Sequence, residues 1–505
     1  MTFRTNVAAS YVSQVYVTVV GIAITPFYLK ALGAEAYGLV GFFTMLLAWF
    51  YLLDFGLSPA IVRETARFRG GSAAALPFRR TVRAIELLFL LLALLSALLT
   101  AALAEPISSR WLQASQLSPS TLRDSLWLMA GSIGLRFAAV LYRALITGFE
   151  QLAWLGAFNA FTATLRALAV LPAMAIWGGT PRVFFWVQLV ISAAELAWLA
   201  RRAYRLLPTL AGRGPGLCWA PLRGVARFSA TVAFTSGLTV AVTQADRLIL
   251  SGLLPLQDYA YFNLAVQVAG AVLLAAAPLI AVILPRLTAL VAAKADDRVK
   301  RLYALGTGLT SAATLPAAAT LALYGHLVLW AWTGREDVAV AGSGVLALYT
   351  LGNAVHAHLS LPYALQFAHG KLRLHVIGST LLVAMLVPVQ VLMTLRIGAL
   401  GAGATWLAMN LLYAVLWVPF AMRSVDPETH RGWLLRITRP AGACFVAAAA
   451  AYPLRDVALA GGRLAAASFL AVVLALSTAA AIMACAPLRT WVAARLRRPM
   501  TGGGE

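Results

Sequence analysis

The chain is dominated by long apolar runs separated by short polar connections. Stretches such as "TNVAASYVSQVYVTVVGIAITPFYL" and "AIELLFLLLALLSALLTAALA" exceed the roughly 20 residues that an α-helix needs to cross a bilayer. Lipid offers no partner to an open sheet edge, so the pattern predicts an all-α, polytopic membrane protein. Fourteen spans are expected, near 7–29, 37–61, 84–104, 124–147, 152–177, 183–203, 228–250, 258–283, 302–325, 343–366, 374–395, 400–422, 440–459 and 464–487. The thirteenth, "PAGACFVAAAAAYPLRDVALAGG", is interrupted by Pro, Arg and Asp, and 326–342 reads as a loop or an interfacial helix.

Composition agrees with this reading. Of 505 residues, 61% are hydrophobic and 11% charged, against about 25% charged in soluble domains. The net charge of +22 would suggest nucleic acid in a soluble protein. Here the positions of the charges decide otherwise. With the N-terminus placed in the cytoplasm, 29 of the 40 basic residues fall in inward loops and tails, and eight fall outside. This asymmetry predicts both termini cytoplasmic and assigns the basic loops to anionic membrane lipid, not nucleic acid. Cys218, Cys444 and Cys485 have no metal or disulfide spacing. The first apolar run is too long for a cleaved leader and reads as a retained span. The short outward loops leave no room for a fused glycosyltransferase or nucleotide-binding domain.

A Gly/Pro-containing basic linker, "RRAYRLLPTLAGRGPGLCWAPLRGVAR" (201–227), follows the sixth span. On either side the chain repeats itself loosely at an offset of 222, aligning Tyr37 with Tyr259 and Leu32 with Leu254. The expected organisation is a six-helix lobe over 1–210, a second over 211–430, and two added spans with a basic tail over 431–505. Paired halves are a transporter signature.

Candidate chemistry is sparse. The D-F-G of Asp54–Gly56 lacks the glycine-rich loop, lysine and H-R-D that a kinase needs, and "GRGPG" lacks the Lys-Ser/Thr of a phosphate loop. His356 and His358 lie on different helix faces, so no metal site is expected. Arg136, Arg166 and Arg247 fall inside spans, the first two near the bilayer midplane. An arginine there costs at least ~2.5 kcal/mol unless it faces water or a counter-charge. Two kinds of reading stay open: a cationic lumen for phosphate, whose oxygens match the guanidinium fork, or a structural arginine, either ion-paired internally with Asp54, Glu86, Glu195 or Asp246 or set near an interface by a shifted span. Asp54 is either a gate or proton-sensitive carboxylate, or a polar residue bonding a helix end at the inner interface. Asp246 either lines a cleft or pairs locally. Gln14, Asn159, Gln244, Asn263 and Gln267 are further polar residues within spans, each explicable as helix–helix glue.

The stretches "FYLKALGAEAYGLVGF", "LLDFGLSPAIVRE", "QADRLILSGLLPLQDYAYFNLAVQV" and "IGALGAGATWLAMNLLYAVLWVP", in this order, resemble the polysaccharide biosynthesis/oligosaccharide flippase family. These are the Wzx-type members of the multidrug/oligosaccharidyl-lipid/polysaccharide exporter superfamily. The resemblance spans roughly 6–425. It implies two six-helix lobes in a V around a central cavity, without cofactor or catalytic residue. It also implies translocation of undecaprenyl-pyrophosphate-linked oligosaccharide across the bacterial inner membrane for O-antigen, capsule or exopolysaccharide. Basic residues in the family's lumen map to Arg136 and Arg166, its D-x-G-L pattern to Asp54, Gly56 and Leu57, and its second-lobe Asp to Asp246. His358 stands at the repeat-related position of Arg136, so the second lobe is expected to be less cationic. Proton or sodium coupling and glycan-assembly partners are compatible with the resemblance. An ion-coupled small-molecule exporter of the same superfamily is the alternative. It calls for clustered acidic residues, whereas Asp54, Glu86 and Glu195 are scattered. A membrane polymerase or glycosyltransferase would need paired outward carboxylates, and only Glu35 stands in the first outward loop.

Overall fold

The computed structural model describes residues 3–209, 216, 237–238 and 240–490. Among them, twelve helical segments are long and apolar enough to cross a membrane, or thirteen counting one bent pair. The only strand-like feature among the described residues is an isolated bridge between Gln113 and Pro255. The protein is therefore an all-α, multi-pass membrane protein. The first part of the expected seventh span, much of the 201–227 linker including Cys218, and most of the basic tail lie outside the described residues.

Chain contacts divide the molecule into two compact units, Met1–Ala260 and Tyr261–Glu505. The first contains α1 (Phe3–Leu32), α2 (Ala34–Phe50), α3 (Leu57–Arg69), α4 (Ala75–Ala102), α5 (Pro119–Gly148), α6 (Leu152–Trp177), α7 (Pro181–Leu206) and α8 (240–253). Local chemistry sets several ends. Ser118 caps α5 through the Thr121 N–H and Thr180 caps α7 through the Val183 N–H, each with proline in the first turn, where its missing N–H costs nothing. Helix α5 lies between α4 and α7, and α6 runs against α1. Phe89, Phe137, Leu141, Leu145 and Leu199 form the buried apolar seam of the first bundle.

The expected second span, 37–61, is not one helix. Helix α2 ends at Phe50, a 3-10 turn covers Tyr51–Asp54, and Phe55 and Gly56 both adopt left-handed backbone before α3 begins. The apolar pattern runs through this break, so hydropathy does not report it. Gly56 adopts the left-handed region without the Cβ penalty.

Glu35, in the first turn of α2, is buried. Its carboxylate accepts the backbone N–H groups of Ser115 (2.7 Å) and Gln116 (2.8 Å). This fastens the segment before α5 onto α2, so Glu35 is a structural anchor. Charge-assisted bonds of this kind contribute about 1.5–3 kcal/mol. Glu35→Ala is expected to destabilise the protein by about 2 kcal/mol and to raise amide exchange at 115–117. Unchanged exchange there would contradict the anchor.

The second unit follows from within α9 (Leu256–Ala269) and contains α10 (Ala271–Ala292), α11 (Asp296–Leu323), α12 (Gly325–Thr333), α13 (Glu336–Ala368), α14 (Arg373–Ile397), α15 (Ala399–Leu412), α16 (Trp433–Ala450) and α17 (Gly462–Ala484). The segment left between loop and interfacial helix is helical: α12 bends 85° away from α11. Helix α13 packs on α10, α11 and α15, while α16 and α17 pack on α11. Small residues, Ala318, Ala319, Ala448, Ala466 and Ala481, line the second contact and let membrane helices approach closely.

Candidate functional site: a cationic cavity in the first unit

Three helices each present an i, i+4, i+7 face to one space. Helix α5 offers Arg136, Val140 and Arg143; α6 offers Asn159, Ala163 and Arg166; α7 brings Gln188, Ser192 and Glu195. At 3.6 residues per turn, such positions stack on one side of a helix. All of these but Gln188 and Ser192, which stand behind Arg136, line a cavity of about 420 Å³, within the roughly 300–1,000 Å³ typical of ligand sites. Helix α1 closes another side with Ser13, Gln14 and Val17, and Tyr51 also lines it. Two bonds pin α1 to α6: Ser13 Oγ donates to the Gly156 carbonyl (2.7 Å) and Tyr28 Oη to the Arg166 carbonyl (2.9 Å).

The polar groups form one network. Arg136 donates from Nη2 to Gln188 Oε1 (2.6 Å) and from Nε to Ser192 Oγ (3.2 Å). Its guanidinium lies 4.9 Å from the centre of the Phe43 ring, a cation–π contact. Arg166 donates to the same Gln188 oxygen (3.0 Å) and pairs with Glu195 Oε2. Arg143 pairs with Glu195 Oε1 and donates to Asn159 Oδ1. Two guanidiniums, those of Arg143 and Arg166, thus share one carboxylate, while Arg136 is held by neutral groups, so the cavity wall keeps a net excess of two positive charges. Glu195 is only 7% exposed, while Arg143 and Arg166 keep 29% and 17% of their side-chain surface open. Their cationic ends border the cavity. Such a wall favours an anion rich in acceptor oxygens.

For Arg166 both alternatives are therefore present at once: Glu195 is an internal partner, and the positive excess of the cavity persists. The other offered counter-ions are engaged elsewhere. Glu86 accepts Tyr142 Oη (2.8 Å) and Tyr204 Oη (2.6 Å) and pairs with Arg83 (2.9 Å). Asp54 Oδ1 accepts the Ser58 N–H (3.0 Å) and Ser58 hydroxyl (2.8 Å), holding the start of α3. Asp246 accepts the Arg247 N–H (2.7 Å), and Arg247 donates to Gln244 Oε1 (3.3 Å). These three form a local group on α8 and do not line the cavity. In the second unit, Asn263 and Gln267 lie on α9. His358 is buried on α13 between the Ala354 carbonyl (Nδ1, 2.7 Å) and Ser311 Oγ (Nε2, 3.0 Å). A carbonyl only accepts, so Nδ1 carries the proton and Nε2 accepts from Ser311. No group of three metal-ligating side chains occurs among the described residues.

One assignment is corrected. Arg143, one of the 29 basic residues assigned to inward loops and tails although it falls near the end of the expected 124–147 span, lies inside α5 and faces the cavity. The signal that would have found it is its seven-residue spacing from Arg136.

Comparison with known proteins agrees with the architecture. Residues 3–291, more than half of the chain, match the family described as "Polysaccharide biosynthesis protein". A Shigella flexneri protein named "Putative O-antigen transporter" is 23% identical over 420 residues, covering 81% of this chain and 95% of that protein. The solved structure of the lipid II flippase MurJ in an inward-closed conformation superposes with a TM-score of 0.72 at 13% identity, covering 98% of this chain and all of MurJ. An inward-facing multidrug resistance MATE family transporter of the MOP superfamily gives 0.66 at 12% identity, covering 81% and 94%. The fold is shared with these two solved structures. The chain belongs to the polysaccharide biosynthesis protein family of membrane transporters.

Proposed function

We propose that the protein is a flippase carrying undecaprenyl-pyrophosphate-linked oligosaccharide units across the bacterial inner membrane for a surface polysaccharide. The observation that carries this reading is the cavity lined by Arg136, Arg143, Arg166 and a single carboxylate, Glu195, among membrane-spanning helices. Guanidiniums match phosphate oxygens in both charge and fork geometry, and they lower the cost of moving an anionic headgroup through the bilayer. The polyprenyl tail stays in lipid, because it is as apolar as the lipid itself. The asymmetry of the basic loops supports cytoplasmic termini in this reading. In this reading the lobes over 1–210 and 211–430 alternate in exposing the site, with 431–505 as an added element. The family match and the Shigella relative support the polysaccharide setting.

The MATE-like fold supports a second reading, an ion-coupled exporter of small molecules. The positive excess of the cavity weighs against cationic cargo. Deleting the gene in its host separates the two. The flippase reading expects surface glycan to disappear while lipid-linked repeat units accumulate. Normal glycan together with sensitivity to small toxic compounds would favour the exporter.

A further inference from the structure

Glu195 occupies an unusual place in the cavity. Its two oxygens are taken by guanidiniums from two different helices, Oε1 by Arg143 of α5 and Oε2 by Arg166 of α6. Beside it on α7, the single oxygen of Gln188 receives Arg136 and Arg166. Two acceptor groups on one helix face therefore satisfy three guanidiniums from the other two helices. This is the arrangement that the oxygens of a bound phosphate would produce.

We propose that Glu195 is a resident counter-ion that competes with the anionic headgroup for Arg143 and Arg166, so that cargo binds by exchange with the carboxylate and is released when the carboxylate returns. The proposal rests on the reading of this cavity as a phosphate site. The physics has two parts. Without a resident anion, three part-buried guanidiniums would face one another unpaired, which is costly. With one, an arriving phosphate must displace it and remain beside its negative charge, which weakens binding. A transporter benefits from both effects, because a cavity that holds its cargo too tightly does not release it. The charge count also names a cargo class. A pyrophosphate diester carries two negative charges and matches the two uncompensated guanidiniums, whereas a monophosphate ester to a lipid and sugar carries one.

The test uses the full chain in lipid nanodiscs, with undecaprenyl pyrophosphate, which has the cargo's pyrophosphate and one further ionisable oxygen, as the probe. Glu195→Gln removes the charge but nearly keeps the shape, and its amide N–H₂ no longer accepts one of the two guanidiniums. It is expected to bind undecaprenyl pyrophosphate about tenfold more tightly than the wild type and to release it correspondingly more slowly. Glu195→Asp, which keeps the charge, should bind like the wild type. If Glu195→Gln does not fold, the charge-balanced double variant Arg143→Gln/Glu195→Gln decides. Exchange predicts affinity no weaker than wild type despite the lost arginine. A purely structural Glu195 predicts weaker binding. Unchanged or weaker binding by folded Glu195→Gln overturns the exchange and leaves the phosphate site standing. Failure of the wild type to bind undecaprenyl pyrophosphate, or equal binding after Arg136→Ala, overturns the phosphate site itself.

Discussion

Replacing Arg136 or Arg166 with Ala is expected to abolish glycan export while the protein still reaches the membrane in normal amounts. Each arginine sits near the middle of its helix and is tied to Gln188. Removing either takes one of three positive charges from the cavity wall. Losing the charge-assisted hydrogen bonds of one guanidinium to the headgroup, each worth about 1.5–3 kcal/mol, should lower flux roughly thirtyfold or more. The two variants should differ in stability. Arg166→Ala leaves Glu195 with Arg143 alone, whereas Arg136→Ala breaks bonds only to the neutral Gln188 and Ser192. Lys at either position keeps the charge without the planar fork and should restore part of the flux. Surface glycan quantified against membrane protein level checks all four variants. Full glycan from either Ala variant would remove that arginine from the transport site.

Gly401→Ala is expected to produce the largest loss of stability of any single methyl addition discussed here. Gly401 lies in the first turn of α15, just after the turn at Gly398. A Cβ placed on it falls within 3.0 Å of the Met393 carbonyl carbon and oxygen and the Thr394 nitrogen, all backbone atoms of α14. Side chains yield to such overlap, but a helix backbone in a packed pair does not, so α14 and α15 must separate. Overpacking costs about 1–3 kcal/mol, and this case belongs at the upper end, about 3 kcal/mol. Gly442→Ala provides the control, since a Cβ at that helical position meets nothing within 4 Å. It should be neutral or slightly stabilising, because Ala favours helix. Thermal melting of the purified variants in detergent measures both. Equal melting of Gly401→Ala and Gly442→Ala would show that the α14–α15 contact tolerates separation.

Span count and helical class were legible because lipid leaves the backbone few options. Positions of breaks were not. "LLDFGLSPA" stays apolar through the turn at Asp54–Gly56, and the break depends on left-handed backbone at Phe55 and Gly56. The site was half legible. Arg136 and Arg166 stood out because a midplane arginine demands a reason, and Asn159 does take part in the network. Arg143 was missed because an arginine near a span end is counted with the basic loop beside it, while here its face of α5 lines the cavity. Glu195 appeared only as one of four carboxylates. Choosing among them required knowing which helices are neighbours, and helix adjacency is not encoded in hydropathy. The same limit explains Arg247, whose partners Asp246 and Gln244 lie on its own helix and away from the cavity.

The most direct measurement of the central claim is translocation itself. Purified protein reconstituted in liposomes with undecaprenyl-pyrophosphate-linked oligosaccharide on one leaflet should expose the sugar on the other, detected by a glycan-cleaving enzyme or lectin. Wild-type protein is predicted to raise this rate well above protein-free vesicles, and Arg136→Ala to return it to that baseline. Translocation equal to protein-free vesicles, or undiminished in Arg136→Ala, would contradict the account.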